Sequence, residues 1–337
     1  MKVDKSISWI PKKLENLSKL NVTVVGGTGG LGRAISKTFA GAGAKVTVIG
    51  QTFRDADTKN ISFVKADLSS IEKSREVAKT LDVSDTDILL FTTGIIAARK
   101  REETEEGLER DMAVSFLNRL VMLREIAPRL KSTRFFASSP RVFVMAFPGN
   151  DQLGTIDDLN CEKKYGVMQA HMNTVAGNEA LVYDSVAKYK DLRFYGLNPG
   201  LVKTAIRNNV LGEGSVLSTV VEGMVGWFAN SPEQYAQKIA PLLIAEELDE
   251  NNGAIFNNKG QALHPSKDLT TEYAGKFISA AEDLLKSKNL WWFDVYDLFT
   301  WDSQDTLDDT VLSWYRNLEI FRPIVMSSWL VLIHIDE

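Results

Sequence analysis

The 337-residue sequence has few of the residues on which several classes of protein depend. Its one cysteine, Cys161, excludes an intrachain disulfide, so a reducing compartment is expected. A lone cysteine is more often structural than reactive, and Cys161 is interpreted in that way. The three histidines, His171, His264 and His334, are scattered without the spacing of a metal site, so no bound metal is expected.

Charge and hydropathy argue against two further classes. The formal net charge is -5 and no basic run is present, which argues against a nucleic-acid-binding surface. The apolar C-terminal segment "PIVMSSWLVLIHI" is too short for a membrane span, which takes ~20 residues. The N-terminus "MKVDKSISWIPKKLENL" has no signal-peptide core. A cytoplasmic protein without a membrane span is therefore expected.

Segments typical of strands and of helices alternate through most of the chain. Apolar runs such as "NVTVVGG", "KVTVIGQ", "DILLFTTG", "RVFVMAF" and "LRFYGLNPG" are separated by helical segments such as "SSIEKSREVAKTL". This alternation predicts a doubly wound α/β fold, in which helices cover both faces of a parallel sheet. Such a sheet binds its ligand beyond the carboxyl ends of the strands, where the loops "GGTGG", "TTG" and "NPG" are expected.

Two regions fall outside this alternation. The apolar segment "VLGEGSVLSTVVEGMVGWF" after "NPG" is interpreted as a lid over a substrate pocket, an oligomer interface or a core helix. The C-terminal part, from Trp291 on, holds five of the seven tryptophans. The predicted organisation is therefore an α/β domain over residues 15–288 and a tryptophan-rich extension over residues 289–337.

The stretch "GGTGGLG" places Gly26, Gly30 and Gly32 in the pattern Gly-x-x-x-Gly-x-Gly, between a predicted strand and a predicted helix. Glycines permit the tight turn after the strand, the approach of a pyrophosphate to the backbone, and the contact between helix and sheet. The first N–H groups of the helix then point at the phosphates. The loop therefore predicts a dinucleotide-binding site.

With this loop, the sequence resembles the short-chain dehydrogenase/reductase family, and within it a divergent, largely uncharacterised branch of oxidoreductases. The resemblance rests on the order and spacing of "GGTGGLG", "VKADLSS", "FTTGI", "LNPGLVKT" and "GAIFNNKG". It implies a Rossmann-type fold, a nicotinamide cofactor and a small-molecule carbonyl substrate. The long helices of this family commonly pair into dimers and tetramers, so a homo-oligomer is compatible with the sequence.

The resemblance also implies a cofactor site, with Asp67 at the adenine ring and the "NPGLVKT" turn at the nicotinamide amide. The residues that it places at the cofactor are Gly26, Thr28, Gly29, Gly30, Leu31, Gly32, Gln51, Arg54, Asp67, Leu68, Thr92, Thr93, Gly94, Tyr165, Gln169, Pro199, Gly200, Val202 and Thr204. NAD-dependent relatives usually carry an acidic residue where this chain has Gly50 or Gln51. With Arg54 just beyond, the sequence favours NADP over NAD, unless Arg54 belongs to a solvated loop.

The family uses a Ser, a Tyr, a Lys four residues after the Tyr, and an Asn on the preceding long helix. Tyr165 occupies the tyrosine position and is predicted to be the proton donor. Gln169 replaces the lysine and is expected to share a helical face with Tyr165. Ser115 stands where the Asn belongs, and His171 is expected to point away from the site because it is six residues on from Tyr165.

The catalytic serine has two candidate positions. The stretch "RFFASSP" offers Ser138 and Ser139, but "RVFVMAF" is the longer strand and Pro140 prevents its predecessor from continuing. If "RVFVMAF" is the strand, Ala146 or Phe147 replaces the serine, and this loss is favoured.

Two functions follow from this pattern. The first is an NAD(P)H-dependent reductase of an apolar aldehyde or ketone, because the neutral phenol of Tyr165 can donate a proton without the help of a lysine. The second is a catalytically impaired nucleotide-binding protein that acts through partners or through its tryptophan-rich tail. An isomerase or lyase that uses the cofactor structurally is a third.

Overall fold

The strands and helices of the computed structural model alternate along the chain as the sequence predicts. The structure describes residues 1–96, 98–131, 137–200 and 231–291. The strands are β1 (Asn21–Val25), β2 (Lys45–Gly50), β3 (Ile61–Lys65), β4 (Ile88–Phe91), β5 (Arg141–Met145), β6 (Arg193–Leu197), β7 (Ile255–Phe256) and β8 (Ala262–Leu263). They form one sheet in the order β3-β2-β1-β4-β5-β6-β7-β8.

Neighbouring strands from β3 to β7 run parallel, and β8 pairs antiparallel with β7. The helices are α1 (Gly30–Gly41), α2 (Ile71–Thr80), α3 (Arg110–Met112), α4 (Asn118–Ile126), α5 (Val167–Lys188), α6 (Pro232–Leu243) and α7 (Thr271–Ser287). Short 3-10 turns lie at Ala127–Arg129, Ile156–Asp158 and Glu246–Glu250. The predicted doubly wound, Rossmann-type α/β fold is confirmed.

A π-helical turn, Ala113–Leu117, joins α3 to α4. Such a turn adds a residue to a helical turn and is often found at functional sites. Ser115, the predicted site residue of this segment, lies within it. The turn therefore sets which side chains of the long helix face the sheet.

Two hydrophobic cores flank the sheet, one on each face. Because side chains alternate along a strand, Val24 of β1 belongs to one core and its neighbour Val25 to the other. The core that includes Val24 is covered by α1 and α6, and Phe39 and Tyr235 are fully buried in it. The opposite core is covered by α2, α4, α5 and α7. Helices on both faces leave the carboxyl edge of the sheet as the place for a ligand.

The N-terminal residues join the edge of the sheet. Val3 forms an antiparallel bridge with Leu263, and the Asp4 N–H donates to the Ala262 carbonyl at 2.9 Å. The residues from Met1 to Trp291 form one compact unit. The apolar segment after "NPG" lies within 201–230, outside the described residues, and so does the predicted tryptophan-rich extension from residue 292 on.

β5 forms from "RVFVM", the longer of the two candidate strands. Its first residue, Arg141, is fully buried, and its guanidinium donates to Asp249 at 2.7 Å. Of the competing stretch "RFFASSP", residues 134–136 lie outside the described ranges. No helix within the described ranges is both long and apolar enough to cross a membrane.

Candidate active site at the carboxyl ends of the strands

A cavity of about 550 Å³ opens where β1, β4, β5 and β6 end. This is the edge at which the sequence predicts a ligand. The loops after these strands contribute Gly26, Thr28, Gly29, Gly30, Leu31, Thr92, Thr93, Gly94, Ile95, Ile96, Ala146, Phe147, Pro199 and Gly200 to its walls. The last residue of β5 and two helical segments contribute Met145, Ser115, Arg119, His171, Met172, Thr174, Val175 and Asn178.

The glycine-rich turn forms one end of the cavity. Gly26 has a φ of 86°, and a Cβ there would lie 2.6 Å from the Thr93 backbone nitrogen, so only glycine fits without strain. Gly29, the N-cap of α1, has open space where a Cβ would stand. Since glycine has no side chain to cap α1, the free N–H groups of its first turn are available to a phosphate.

The predicted adenine end lies beside β2 and β3. Gln51 Nε2 donates to Asp67 Oδ1 at 2.8 Å. The Ser69 hydroxyl, the Ser69 N–H and the Gln51 amide hold the pKa of Asp67 below its usual range, against the effect of burial. Leu68 is buried, and its carbonyl accepts a hydrogen bond from Asn118 at 2.9 Å. Gln51, Asp67 and Leu68 do not line the cavity.

An ion pair joins α1 to the loop after β2. Arg33 donates to both carboxylate oxygens of Asp55, at 2.6 and 2.7 Å. This hydrogen bonding lowers the pKa of Asp55, so the carboxylate is charged and neutralised by Arg33. Arg54, the next residue back, is exposed.

Threonines follow β4 at the middle of the cavity. Thr92 Oγ1 donates to the Val25 carbonyl at 2.9 Å and ties β4 to β1. Thr93 Oγ1 is buried without a hydrogen-bond partner among the described residues. A buried hydroxyl without a partner at the wall of a cavity is a group that a polar ligand can satisfy.

The "NPG" turn closes the far side. Asn198 accepts from the Gly200 N–H at 3.0 Å and donates to the Pro148 carbonyl at 2.8 Å. These bonds fix Pro199 and Gly200 at the cavity. Val202 and Thr204, the remaining predicted residues of this turn, lie outside the described residues.

Tyr165 does not lie on the helix with Gln169, so the expected shared helical face is wrong. α5 begins at Val167, and its N-cap, Gly166, is extended with φ -150° and ψ 132°. The Tyr165 hydroxyl donates to the Ala98 carbonyl at 2.5 Å. Neither Tyr165 nor Gln169 lines the cavity.

The surroundings of Tyr165 also change its acidity in the direction opposite to that which the family needs. Burial, followed by the negative charges of Glu109 and Asp111, raises the pKa of Tyr165 to about 12. Tyr165 is therefore a neutral phenol over the physiological pH range and a weaker acid than an exposed tyrosine.

The cavity is faced instead by a helical stripe of α5, namely His171, Thr174, Val175 and Asn178. These positions are three or four residues apart and lie on one side of a helix. His171 was expected to point away, and this expectation is wrong. The expectation assumed a continuous helix from Tyr165 to His171, but the helix begins only at Val167.

His171 belongs to a hydrogen-bonded cluster with Asp111 and Ser115. The Asp111 carboxylate is fully buried, and its Oδ2 lies 2.8 Å from His171 Nδ1. Its Oδ1 accepts a hydrogen bond from the Ser115 hydroxyl at 2.5 Å. The Ser115 oxygen in turn accepts from the Ile95 N–H at 3.0 Å. Ser115 therefore lies at the cavity as predicted, where it anchors a carboxylate that the sequence had not indicated.

Arg119 lies one turn beyond Ser115 and is almost fully buried. Nη1 donates to the Met145 carbonyl at 2.6 Å and to Asn178 Oδ1 at 2.7 Å, and Nη2 donates to the Thr93 carbonyl. Burial lowers the pKa of Arg119 to about 9, and Asp111 opposes this shift. The guanidinium therefore links β4, β5 and α5 at the wall of the cavity.

The serine candidates lie at the other end of β5. The N–H and the hydroxyl of Ser138 each lie 3.2 Å from Asp249, ahead of the strand, and Ser139 is buried next to them. At the carboxyl end, the cavity is lined by Ala146 and Phe147.

A pattern in the sequence points to the residues that were missed. In the apolar segment "DMAVSFLNRL", the polar residues Asp111, Ser115 and Arg119 recur every four residues. His171, Thr174 and Asn178 recur at three and four residues in "HMNTVAGN". Polar residues at helical spacing on two apolar helices indicate a shared polar face.

These features define a dinucleotide-binding domain of the Rossmann type with a cavity at its carboxyl edge. A family model for the short chain dehydrogenases matches residues 20–135. Over 292 residues the chain is 45% identical to an uncharacterized oxidoreductase of Saccharomyces cerevisiae. The match spans 85% of this chain and 94% of that protein. The chain therefore belongs to the short-chain dehydrogenase/reductase family and is an oxidoreductase of the kind that uses NAD(P).

More distant relatives agree with this assignment. The chain is 24% identical over 259 residues to the polyprenol dehydrogenase of Mus musculus, across 71% of this chain and 76% of that one. An uncharacterized protein of Mycobacterium paratuberculosis has the same fold with a TM-score of 0.58 and 17% identity, over 82% of this chain and 98% of that chain. The aldohexose dehydrogenase of Thermoplasma acidophilum gives a TM-score of 0.55 with 16% identity, over 72% and 93% of the two chains.

Proposed function

We propose that the protein reduces an apolar aldehyde or ketone with NADPH. The observation that carries this proposal is the cavity, in which the glycine-rich turn and the Asp111–Ser115–His171 cluster border one space. When bound, a reduced nicotinamide supplies the hydride for such a reaction, so the protein has to bind the carbonyl, orient it and give a proton to its oxygen.

The described residues fit a dinucleotide. Gly29 leaves open space beside the first turn of α1, where a phosphate can approach the backbone, and the unpartnered Thr93 hydroxyl can bond a ligand. Pro199 and Gly200 line the opposite wall, and the resemblance adds Val202 and Thr204.

The preference for NADPH over NADH rests on the loop after β2. Its one buried carboxylate, Asp55, is already neutralised by Arg33. The exposed Arg54 is then the cation that would bind a 2′-phosphate.

An apolar substrate is supported by the composition of the wall. The apolar side chains that line the cavity include Ile95, Ile96, Met145, Phe147, Met172 and Val175. Such walls favour carbonyl compounds with an apolar body. The relative named polyprenol dehydrogenase supports the same class.

The resemblance proposes Tyr165 as the proton donor. The structure offers little support for this role, because the Tyr165 hydroxyl is bonded to the Ala98 carbonyl outside the cavity. If Tyr165 gave up its proton, the negative charges of Glu109 and Asp111 would destabilise the phenolate that remains.

A second function, a nucleotide-binding protein with impaired catalysis, is favoured by one observation. Ala146 and Phe147 stand at the end of β5, and Val175 stands one turn after His171, where a charged side chain would face the cavity. A degenerate set of catalytic residues is consistent with binding without turnover. A cytoplasmic location and a homo-oligomer are part of the same proposal.

The test is the consumption of NADPH and of NADH by the purified protein with a panel of aliphatic and aromatic aldehydes and ketones. Binding of each coenzyme is measured in the same samples by calorimetry. We expect carbonyl-dependent oxidation of NADPH, faster for apolar substrates. Tight coenzyme binding without turnover would favour the binding protein, and an absence of binding would reject both functions.

A further inference from the structure

We propose that His171, positioned by Asp111, gives the proton to the carbonyl oxygen. This proposal rests on the reductase function proposed above. It is carried by two independent observations, the position of His171 on the cavity face of α5 and its bond to a buried carboxylate.

His171 is the first residue of the α5 face that borders the cavity. Thr174, Val175 and Asn178 follow His171 on this face, and none of the three carries an ionisable group. Among the described lining residues, the ionisable side chains are His171 and Arg119. Arg119 keeps its proton at neutral pH and is occupied by carbonyl oxygens, so His171 is the better candidate for proton transfer.

The bond to Asp111 orients the ring. Because the carboxylate accepts from Nδ1, this nitrogen keeps its proton, and Nε2 on the other side of the ring can face the cavity. Asp111 is itself held by the Ser115 hydroxyl, and Ser115 by the Ile95 N–H. A chain of bonds from backbone to serine, carboxylate and imidazole therefore limits the rotation of the ring.

The proton transfer is balanced in atoms and charge. The carbonyl carbon receives the hydride from the reduced nicotinamide, and the coenzyme is thereby oxidised. The Nε2–H bond of the imidazolium breaks and an O–H bond forms, which gives the alcohol and a neutral imidazole. Nδ1 keeps its proton and its hydrogen bond to Asp111 throughout. Solvent returns a proton to Nε2 after the alcohol leaves.

The charges around the imidazole suit a proton donor. Asp111 stabilises the imidazolium before transfer, and the positive charge of Arg119 borders the same cavity. A nearby cation stabilises negative charge as it develops on the carbonyl oxygen. Glu109, Glu102 and Cys161 lie near Tyr165 together with Asp111, and each of them opposes ionisation of the phenol.

The direct test compares His171→Gln with Tyr165→Phe, using NADPH and the best substrate of the panel. His264→Gln, the same change at a half-exposed histidine outside the cavity, is the matched control. We expect His171→Gln to lower kcat by about 100-fold to 10,000-fold while the Kd for NADPH changes less than about threefold. We expect Tyr165→Phe to lower kcat by less than about tenfold.

Two readouts separate proton transfer from a structural role. Added imidazole should restore part of the activity of His171→Ala but not that of Asp111→Ala, because only the first variant lacks the donor itself. In addition, kcat/KM for reduction by the wild-type protein should fall as the pH rises, because only the imidazolium carries a proton on Nε2, whereas a Tyr165 donor would keep the rate level over the same range. The pH readout needs no variant, so it decides the matter if His171→Gln does not fold.

The failures are distinguishable. A wild-type protein that binds NADPH but reduces no carbonyl would reject the reductase function and the proposal together. A reductase that works equally well as His171→Gln would reject only the role of His171. A large loss in Tyr165→Phe, together with a pH profile that is flat to about pH 9, would assign the proton to Tyr165.

Discussion

The His171 imidazole and the Asp111 carboxylate are joined by a 2.8 Å hydrogen bond at the carboxyl edge of the sheet. Asp111 is fully buried, whereas His171 is partly exposed and borders the cavity. The bond links α3 to α5. A buried carboxylate that holds one nitrogen of a cavity-facing imidazole is an arrangement suited to proton transfer.

The role of the carboxylate can be tested by Asp111→Asn. The amide keeps the size of the side chain but loses the charge and offers an NH₂ group to the imidazole, so the ring is no longer held as a donor. We expect kcat for carbonyl reduction to fall by about tenfold to 100-fold, with little change in the Kd for NADPH. Asp283→Asn, at an exposed position on α7, is the control. An unchanged kcat would mean that Asp111 does not position the donor.

The coenzyme cradle can be tested at Gly29. A Cβ at this position meets no protein atom within 4 Å, so Gly29→Ala should change the free energy of unfolding by less than about 1 kcal/mol. The added methyl group would lie where the phosphates approach, so we expect the Kd for NADPH to rise at least about tenfold. Calorimetry and urea unfolding measure the two effects, and Gly41→Ala, also in open space, is the control. Unchanged coenzyme binding would contradict the placement of the pyrophosphate.

Arg119 is expected to matter for stability as well as for the site. Arg119→Met removes the donors to the carbonyls of Thr93 and Met145 and leaves these acceptors buried. We expect the free energy of unfolding to fall by about 2–4 kcal/mol in urea titration. Arg110→Met, at an exposed position, should change it by less than about 0.5 kcal/mol. Equal stabilities of the two variants would contradict the conclusion that the Arg119 guanidinium links β4, β5 and α5.

The ion pair between Arg33 and Asp55 predicts a pH dependence of stability. The pKa of Asp55 is lower in the folded protein than in the unfolded chain. The pair therefore stabilises the fold above about pH 4, and the stabilisation is lost as the pH falls through the folded pKa. Relative to Asp55→Asn, we expect the wild-type protein to be more stable by about 1 kcal/mol at pH 7 and equally stable at the acid end. A difference that is constant with pH would contradict the pairing.

Coenzyme preference can be tested at Arg54. If Arg54 binds the 2′-phosphate, Arg54→Ala should raise the Kd for NADPH by about tenfold and leave the Kd for NADH nearly unchanged. Lys59→Ala, an exposed cation in the same loop, is the control. Equal effects on the two coenzymes would show that Arg54 does not distinguish them.

Most of the fold could be predicted because its signals are local. The apolar run of β4 and the amphipathic α2 each indicate their own structure, and the glycine-rich turn after β1 indicates the ligand edge. β5 was also predictable, because Pro140 marks where an extended run must be interrupted. The bridge between Val3 and Leu263 could not be predicted, because it joins residues far apart in the sequence.

The site was predicted less completely, because its geometry depends on where one helix begins. A tyrosine followed four residues later by a polar residue suggested that Tyr165 and Gln169 share a face. The extended backbone of Gly166 delays the helix to Val167, and the cavity face then falls on His171. Ser115 could be placed at the site because it lies on the long helical segment that the sequence predicts. Asp111 could not be identified alone, since a single acidic residue near a helix start is usually a capping or solvated group.

The most direct test of the account is kcat/KM for carbonyl reduction by the wild-type protein with saturating NADPH, measured at about pH 6 and about pH 9. An imidazolium donor predicts a higher rate at the lower pH, and His171→Gln should show a low rate at both. Equal rates at the two pH values, with full activity in His171→Gln, would contradict the assignment of proton transfer to His171.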